Sequence, residues 1–195
     1  MKKFFVILVC KTIRLIGRLT GRGSSLPGQI ALKLDPDILS KIKMPPYIVA
    51  VTGSNGKTST VELIARILKD AGKSFAYNKE GSSQIEGVTT LILEHCTFSG
   101  KVKPEIILIE SDERFAKYTF RYFSPTHYII TNLYRDQLTR NGHPEWVAHA
   151  IEESIRPETQ LVLNADDPLV SKFGLGRDNT VYFGADRLPQ STDSC

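Results

Sequence analysis

The chain has 195 residues, of which 41% are hydrophobic, 24% charged and 9% aromatic. This length fits one full α/β domain, and this composition excludes collagen-like, low-complexity and wholly disordered proteins. The net charge of +4 arises in residues 1–45, which hold nine basic residues against two acids. The rest has no basic stripe with stacking aromatics, so we expect no nucleic-acid partner. The cysteines Cys10, Cys96 and Cys195 lie far apart, which indicates a reducing compartment and no disulfide framework.

The N-terminal segment predicts a basic amphipathic helix. Its apolar run at residues 4–10 is shorter than the roughly 20 residues that span a bilayer, and no signal cleavage site follows. The pattern sets basic Lys11, Arg14, Arg18 and Arg22 opposite apolar Ile13, Leu15, Ile16 and Leu19. Two alternatives stay open: the helix packs its apolar side on the domain and solvates its charges, or it also approaches an anionic membrane surface. We treat residues 1–45, including the turn-rich stretch 21–28, as an arm.

From residue 46 onward, short apolar runs alternate with segments of helical period, which is typical of βαβ units on a parallel sheet. Strands are predicted at residues 47–52, 74–77, 105–110, 127–132, 160–164 and 180–183. Helices are predicted at residues 57–71, 84–93, 113–120 and 144–154. The first of these has an apolar side of Val61, Ile64, Ile67, Leu68 and Ala71, with Gly72 as a left-handed cap. The expected fold is α/β, a mostly parallel sheet flanked by helices, over residues 46–185; residues 186–195 begin a further insertion.

Residues 49–59, VAVTGSNGKTS, predict a phosphate-binding loop between a strand and a helix. Gly53 and Gly56 let the backbone approach phosphate oxygens, Lys57 supplies positive charge and Thr58 can ligate Mg²⁺. The alternative is a tight turn that happens to contain a lysine, because the strict Walker pattern needs glycine where this chain has Val51. The predicted nucleotide-binding residues of this loop are Gly53, Ser54, Asn55, Gly56, Lys57, Thr58 and Ser59.

Polar residues follow the other predicted strands and should meet at the same sheet edge. Glu110 ends one strand, and we expect it to hold Mg²⁺ together with Thr58, whereas Asp112 and Glu113 are expected to cap the next helix. Three further polar clusters occupy residues 78–83, 131–137 and 164–168, and Asn132 in the second is a candidate nucleotide contact. Each cluster alone is ordinary turn chemistry, but their recurrence favours one composite site.

These clusters, in this order, resemble the central ATP-binding domain of the Mur ligase family, whose fold is a P-loop-type sheet flanked by helices. The loop at residues 53–58, the glutamate Glu110, the TN stretch at 131–136 and the NADDP turn at 164–168 carry the resemblance. Within the family, the chain is most similar to the branch that supplies the ATP-dependent subunit of lipid II isoglutaminyl synthase, an enzyme of bacterial cell-wall (peptidoglycan) biosynthesis. The supporting stretches are residues 26–31, 78–81, 110–113 and 135–138.

The resemblance implies an ATP- and Mg²⁺-dependent ligase, with Lys57 and Glu110 as its catalytic residues. It would amidate the α-carboxylate of D-glutamate in lipid II through an acyl phosphate, using ammonia from a GatD-like glutaminase. The implied location is the cytoplasm, with peripheral contact at the inner face of the membrane. Two alternatives remain: another ligase of the Mur or folylpolyglutamate synthase type, or a non-catalytic nucleotide-binding module.

The sequence also departs from this branch. Ser83, Thr139 and Asn141 stand where relatives in the branch commonly have other residues, which bears on acceptor contacts rather than on ATP. Gln137 stands where many Mur ligases have a histidine near a second metal, although glutamine is usual in this branch. Relatives continue through a four-cysteine zinc ribbon and a closing C-terminal domain, of which Cys195 resembles the first ribbon cysteine. A single cysteine makes no structural zinc site, so we expect no zinc in this chain.

Overall fold

The computed structural model describes residues 1–19, 25–78, 82–133 and 144–185. Within these residues, six strands form one parallel sheet in the order β2-β3-β1-β4-β5-β6. The strands are β1 (Tyr47–Thr52), β2 (Phe75–Tyr77), β3 (Ile106–Glu110), β4 (His127–Ile130), β5 (Gln160–Asn164) and β6 (Thr180–Phe183). The predicted parallel α/β sheet is confirmed, and all six predicted strands are present.

Seven α-helices accompany the sheet in the same part of the chain. They are α1 (Lys2–Leu19), α2 (Leu26–Leu34), α3 (Lys57–Asp70), α4 (Ile85–His95), α5 (Ala116–Thr119), α6 (Pro144–Glu152) and α7 (Pro168–Ser171). The chain leaves β1 for β2 and β3 on one side and then crosses to β4 on the other. The carboxyl end of β1 is therefore the point where strand order reverses, which is where open α/β sheets bind ligands.

The helix predictions at residues 57–71, 84–93 and 144–154 are confirmed with shifts of one or two residues at their ends. Gly72 follows α3 with φ +66°, as the left-handed cap requires. Two members of the predicted apolar side are wrong: Ile67 and Ala71 are exposed, and Ala65 is buried beside Val61 instead. The helix predicted at residues 113–120 is shorter, because only Ala116–Thr119 is helical.

The arm contributes to the same hydrophobic core as the sheet. Residues 26–28, predicted as the end of a turn-rich stretch, instead begin α2, and a 3-10 turn follows at Ile38–Lys41. Gly28 of α2 lies against α4 so closely that a Cβ would stand 1.9 Å from the Glu86 carbonyl oxygen, and its amide donates to Thr90 Oγ1 at 2.8 Å. The absence of a side chain at Gly28 therefore allows α2 to pack this closely against α4. The boundary at residue 45 stays a prediction, and residues 186–195 lie outside the described part.

The predicted orientation of the N-terminal helix is wrong. Helix α1 begins at Lys2, and the apolar run at residues 4–10 supplies its buried side. Leu15 and Leu19, expected to pack inward, are 62% and 81% exposed, whereas the Arg14 side chain is only 13% exposed. Arg14 turns inward because Glu94 on α4 accepts its Nε hydrogen bond at 3.0 Å. Arg22 lies outside the described residues.

Candidate functional site

The loop between β1 and α3 depends on glycine at two positions for different reasons. At Gly53, φ is +133° and a Cβ would stand 2.2 Å from Thr131 Oγ1, so neither the backbone angle nor the space admits a side chain. At Gly56, which precedes α3, φ is +80° but nothing lies within 4 Å of a Cβ. Gly56 is therefore required by its conformation alone, and its position faces open space where a ligand can approach.

The end of β4 holds this loop in place. The Asn132 backbone oxygen accepts from the Ser54 amide at 2.8 Å, and its side-chain oxygen accepts from the Asn55 amide at 2.9 Å. Its Nδ2 donates to the Asn55 carbonyl at 3.1 Å, and Thr131 Oγ1 donates to the same carbonyl at 2.8 Å. Asn132, predicted as a nucleotide contact, thus shapes the loop. Thr131 was missed by the sequence analysis, although it lies in the same TN stretch.

Lys57 lies at the first position of α3 and folds back over the loop. Its Nζ donates to the Gly53 carbonyl, to the Ser54 carbonyl at 3.4 Å, and to Glu113 Oε2 at 3.1 Å. The first turn of a helix leaves amide N–H groups without partners inside the helix, which favours an anion there. The ammonium of Lys57 therefore adds a positive charge at the point where the helix already attracts negative charge.

Thr58 and Glu110 meet across the sheet edge. Thr58 Oγ1 donates to Glu110 Oε2 at 3.0 Å, and register pairing sets Glu110 level with Val51 on β1. Two oxygens in adjacent positions around Mg²⁺ at about 2.1 Å lie about 3.0 Å apart, so the pair fits one edge of an octahedron. The described residues contain no group of three or more His, Cys, Asp or Glu that could hold a metal. A magnesium ion here would thus rely on phosphate oxygens and water for its remaining ligands.

The two acids after Glu110 do not cap the next helix as predicted, since Phe115 occupies the capping position of α5. Glu113 instead binds Lys57, and Asp112 binds Arg114, whose guanidinium donates at 2.8 Å. Burial acts to raise the pKa of Asp112, but the hydrogen bonds from Arg114 outweigh it and hold that pKa below its ordinary value. The sequence analysis therefore missed Glu113 as a site residue. Its position on the carboxyl edge, three residues after Glu110, was the available signal.

A cleft of about 450 Å³ opens beside the loop, on the side of β4 and β5. Its lining combines polar loop atoms with apolar side chains: Asn55, Gly56, Thr60, Ile129, Thr131, Asn132, Val162 and Phe183. Ser59, predicted to contact nucleotide, lies in the first turn of α3 and is exposed. A ligand whose anionic group lies at the start of α3 can thus place its remaining part in this partly apolar cleft.

The NADDP turn at residues 164–168 contacts the segment after β4 that holds the loop. Asn164 Nδ2 donates to the Thr131 carbonyl at 2.8 Å, and Asp167 accepts the Leu133 amide at 2.7 Å while it caps α7. This cluster acts on the loop through β4. Of the cluster at residues 78–83, Ser83 accepts the Asp112 amide through its carbonyl at 3.1 Å. Residues 79–81 and the positions Gln137, Thr139 and Asn141 lie outside the described residues.

Comparison with known proteins identifies the domain. The family model of the Mur ligase middle domain matches residues 51–188. The MurT subunit of lipid II isoglutaminyl synthase (glutamine-hydrolyzing) from Staphylococcus aureus (strain COL) is 36% identical over 199 residues, covering 98% of this chain and 45% of that protein. The corresponding subunit from Streptococcus pneumoniae (strain ATCC BAA-255 / R6) is 38% identical over 169 residues, covering 85% and 37%. The chain thus spans less than half the length of these two relatives.

Solved structures agree on the fold. The MurF ligase from Thermotoga maritima in complex with ADP superposes with a TM-score of 0.63 at 24% identity, covering 82% of this chain and 37% of that chain. A pseudomurein peptide ligase type C from Methanothermus fervidus gives a TM-score of 0.55 at 29% identity, covering 75% and 28%. The resemblance inferred from the loop, the glutamate and the two turns is confirmed. Because most of its length matches the middle-domain model and folds as that domain does, the chain belongs to the Mur ligase family.

Proposed function

We propose that this chain is the ATP-binding part of an ATP-dependent ligase that joins a carboxylate to an amine. One observation carries the proposal: Lys57 and Thr58 begin α3 just after the central strand β1, and each contacts an acid at or just beyond the end of the neighbouring strand β3. This arrangement suits a magnesium-complexed triphosphate, because it offers a lysine, a hydroxyl and a carboxylate at a helix start. The ADP in the related MurF structure supports the same assignment.

The loop residues would each contact part of the nucleotide. Lys57 Nζ would neutralise the β- and γ-phosphates, and the amides of residues 56–59 at the start of α3 would bind their oxygens. Thr58 and Glu110 would hold Mg²⁺, which when bound would offset the charge of the triphosphate. The cleft along β4 and β5 would receive the nucleoside, with Asn132 at its rim. These roles rest on position within the site and on the family pattern.

The acceptor that we propose is the α-carboxylate of D-glutamate in the peptide of lipid II. A carboxylate oxygen would attack the γ-phosphorus, the bond to the β–γ bridging oxygen would break, and ADP would leave. Ammonia would then attack the acyl carbon, inorganic phosphate would leave, and the nitrogen would lose a proton. The ammonia would come from a GatD-like glutaminase subunit. The names of the two bacterial relatives, which specify lipid II and glutamine hydrolysis, support this choice.

The corresponding location is the cytoplasm, at the inner face of the membrane, where a lipid-linked peptide would be within reach. No described helix is both long and apolar enough to cross a bilayer. Contact with the membrane would thus be peripheral.

Calorimetry with Mg-ATP tests the first step. Lys57→Ala should weaken binding by about tenfold or more, because a charge-assisted contact to phosphate is lost. Lys69→Ala is the matched control, since Lys69 lies in the last turn of the same helix. Equal affinities of wild type and Lys57→Ala would overturn the nucleotide assignment.

Acceptor assays test the second step, with the chain in its assembly with a glutaminase. Amidation of lipid II, but of neither a UDP-linked muramyl peptide nor a folate, is the expected result. Turnover with one of those other acceptors would move the chain to another ligase branch. Binding of Mg-ATP without acyl phosphate formation on any acceptor would instead favour a non-catalytic nucleotide-binding module.

A further inference from the structure

Helix α1 is fixed to the domain along one side only. Val6, Ile7 and Cys10 are fully buried against the core. Further along the same side, Lys11 and Arg14 both reach α4, where Lys11 Nζ donates to the Glu94 carbonyl and Arg14 Nε to its carboxylate. Because these contacts involve residues along the helix from its first turns to its last, the opposite side of α1 has a defined orientation towards solvent.

That opposite side is apolar. We call it the outer face of α1, and it consists of Met1, Phe5, Leu8, Leu15, Ile16 and Leu19, with Phe4 at its border. At 100° per residue these positions form one stripe, which runs about 21 Å from Phe5 to Leu19. The exposed fraction rises from 40% at Leu8 to 81% at Leu19. Single exposed apolar residues are ordinary, but six on one helix face, interrupted at the exposed Thr12, mark an interaction surface.

Positive charge adjoins the outer face near its N-terminal end. Helix α1 contains five basic residues and no acid. Phe98, which is 45% exposed, packs against Phe4 with the two ring centroids 5.1 Å apart and the rings tilted by 39°. Phe98 thus extends the apolar surface beyond the helix. Four lysines, which we call the lysine cluster, lie on backbone segments next to Phe98: Lys3, Lys43, Lys101 and Lys103. Lys43 and Lys101 face each other in a β-bridge, and the Lys3 ammonium lies against Gly100.

We propose that the outer face of α1 binds the surface of an anionic lipid bilayer, with the helix lying in the interface. An apolar stripe bordered by lysines suits this partner, because the apolar side chains enter the acyl boundary while the ammonium groups stay among anionic head groups. A second copy of the chain in a symmetric contact would set α1 against α1, two helices that carry basic residues and no acid, which like charge opposes. The charge pattern therefore favours lipid over self-association.

This attachment would leave the phosphate loop accessible. Arg14 and Arg18, near the C-terminal end of α1, line a cavity with Tyr77 and Asn78, which lie at the carboxyl end of β2. β2 is two strands from β1, or about 10 Å along the sheet edge. The membrane would thus adjoin the loop edge without covering it. The inference deepens the peripheral location proposed above, and it does not depend on ligase activity.

Vesicle co-sedimentation of the 195-residue chain tests the proposal. Vesicles of phosphatidylglycerol mixed with phosphatidylcholine should retain the protein, whereas vesicles of phosphatidylcholine alone should retain far less. Leu15→Gln with Leu19→Gln should reduce partitioning by about tenfold or more, since two well-exposed leucines lose their burial in lipid. The matched control is Leu63→Gln with Ile67→Gln, which changes two similarly exposed residues on α3. This control should partition as wild type does.

Charge is tested separately with Lys101→Glu and Lys103→Glu, which should weaken binding to anionic vesicles, as should 0.5 M salt. Arg14 and Arg18 are unsuitable for this charge test, because both pair with Glu94 and their substitution would also disturb the contact between α1 and α4. Unchanged vesicle binding by the leucine variant, or no binding by wild type at low salt, would overturn the proposal. So would a wild-type dimer that the leucine variant converts to monomer, since a second copy would then occupy the face. Mg-ATP calorimetry on the same variants reports the nucleotide site independently, and it should match wild type.

Discussion

Lys57 and Glu113 form an ion pair of 3.1 Å at the centre of the site, with side chains only 16% and 6% exposed. Glu113 thereby holds the lysine over the loop before any nucleotide arrives. The carboxylate also occupies a position near the one that a phosphate would take, so binding requires the ammonium to exchange or share its anionic partner.

Glu113→Gln should lower the stability of the ligand-free protein and enlarge its stabilisation by Mg-ATP. The loss should be about 1–3 kcal/mol, because a largely buried ammonium loses its ionic partner. The phosphates would then supply the missing negative charge. Thermal unfolding with and without Mg-ATP measures both effects. Glu105→Gln, an exposed position just before β3, should change neither. A smaller Mg-ATP shift in Glu113→Gln than in wild type would contradict this role.

Thr58→Val should weaken the magnesium-dependent part of nucleotide binding. The variant keeps the shape of the side chain but removes the hydroxyl that now contacts Glu110. We expect affinity for Mg-ATP to fall about 10- to 100-fold, while affinity for ATP in EDTA stays as in wild type. Titration calorimetry under both conditions measures the difference. Thr58→Ser, which retains the hydroxyl, should restore binding, and an equal loss in EDTA would argue against a metal contact.

Gly53→Ala should disrupt the loop far more than an alanine at another left-handed glycine. A Cβ at Gly53 would collide with Thr131 Oγ1, whereas the corresponding position at Gly176, with φ +72°, is open. We expect Gly176→Ala to cost about 1 kcal/mol of unfolding free energy and to leave nucleotide binding unchanged. Gly53→Ala should cost more and abolish Mg-ATP binding. Urea unfolding and Mg-ATP calorimetry on the Gly53→Ala and Gly176→Ala variants measure these effects. Equal unfolding free energies and equal Mg-ATP affinities of the two variants would mean that the loop tolerates displacement from the end of β4.

His95 should make the fold less stable in mild acid. Burial is the main cause that lowers the pKa of its imidazole, the cations Lys11, Arg18 and Arg14 add to it, and Glu94 opposes it. The unfolded chain therefore binds this proton more readily than the folded one. Stability should fall as pH drops below about 6.5, until the folded imidazole itself becomes protonated.

Urea unfolding between pH 5 and pH 8 measures this dependence. His95→Gln should show a shallower decline than wild type, and His149→Gln, which changes an exposed histidine on α6, should retain the wild-type slope. Parallel curves for wild type and His95→Gln would exclude His95 as the source.

Strands β1 and β3 were predictable because they are buried on both faces of the sheet. Residues 106–109 are all buried apolar residues, so β3 reads as a continuous apolar run, and the same holds for most of β1. The phosphate loop was predictable because Gly53 and Gly56 adopt positive φ angles, which favour glycine and depend on local backbone conformation. Helix α2 was missed because Pro27 and Gly28 suggest a turn, although the glycine serves contact with α4.

Pairings between distant residues could not be read from local patterns. Amphipathic spacing predicted that Leu15 would face inward, but Glu94, 80 residues after Arg14, draws the arginines to the domain. Likewise, Glu113 follows a strand as a capping acid would, and its pairing with Lys57 depends on the β1–β3 register. In both cases a tertiary ion pair decides which side chain turns inward.

The bracing of the loop by Asn132 has a consequence for native-state dynamics. The Ser54 and Asn55 amides both donate to Asn132, two residues after the end of β4, so their deuterium exchange requires the loop to separate from the segment that follows that strand. Exchange at these two amides therefore reports one local opening event rather than two independent ones. The exchange rates of these two amides should consequently fall together when opening of the strand-to-helix connection becomes rarer, and rise together when it becomes more frequent.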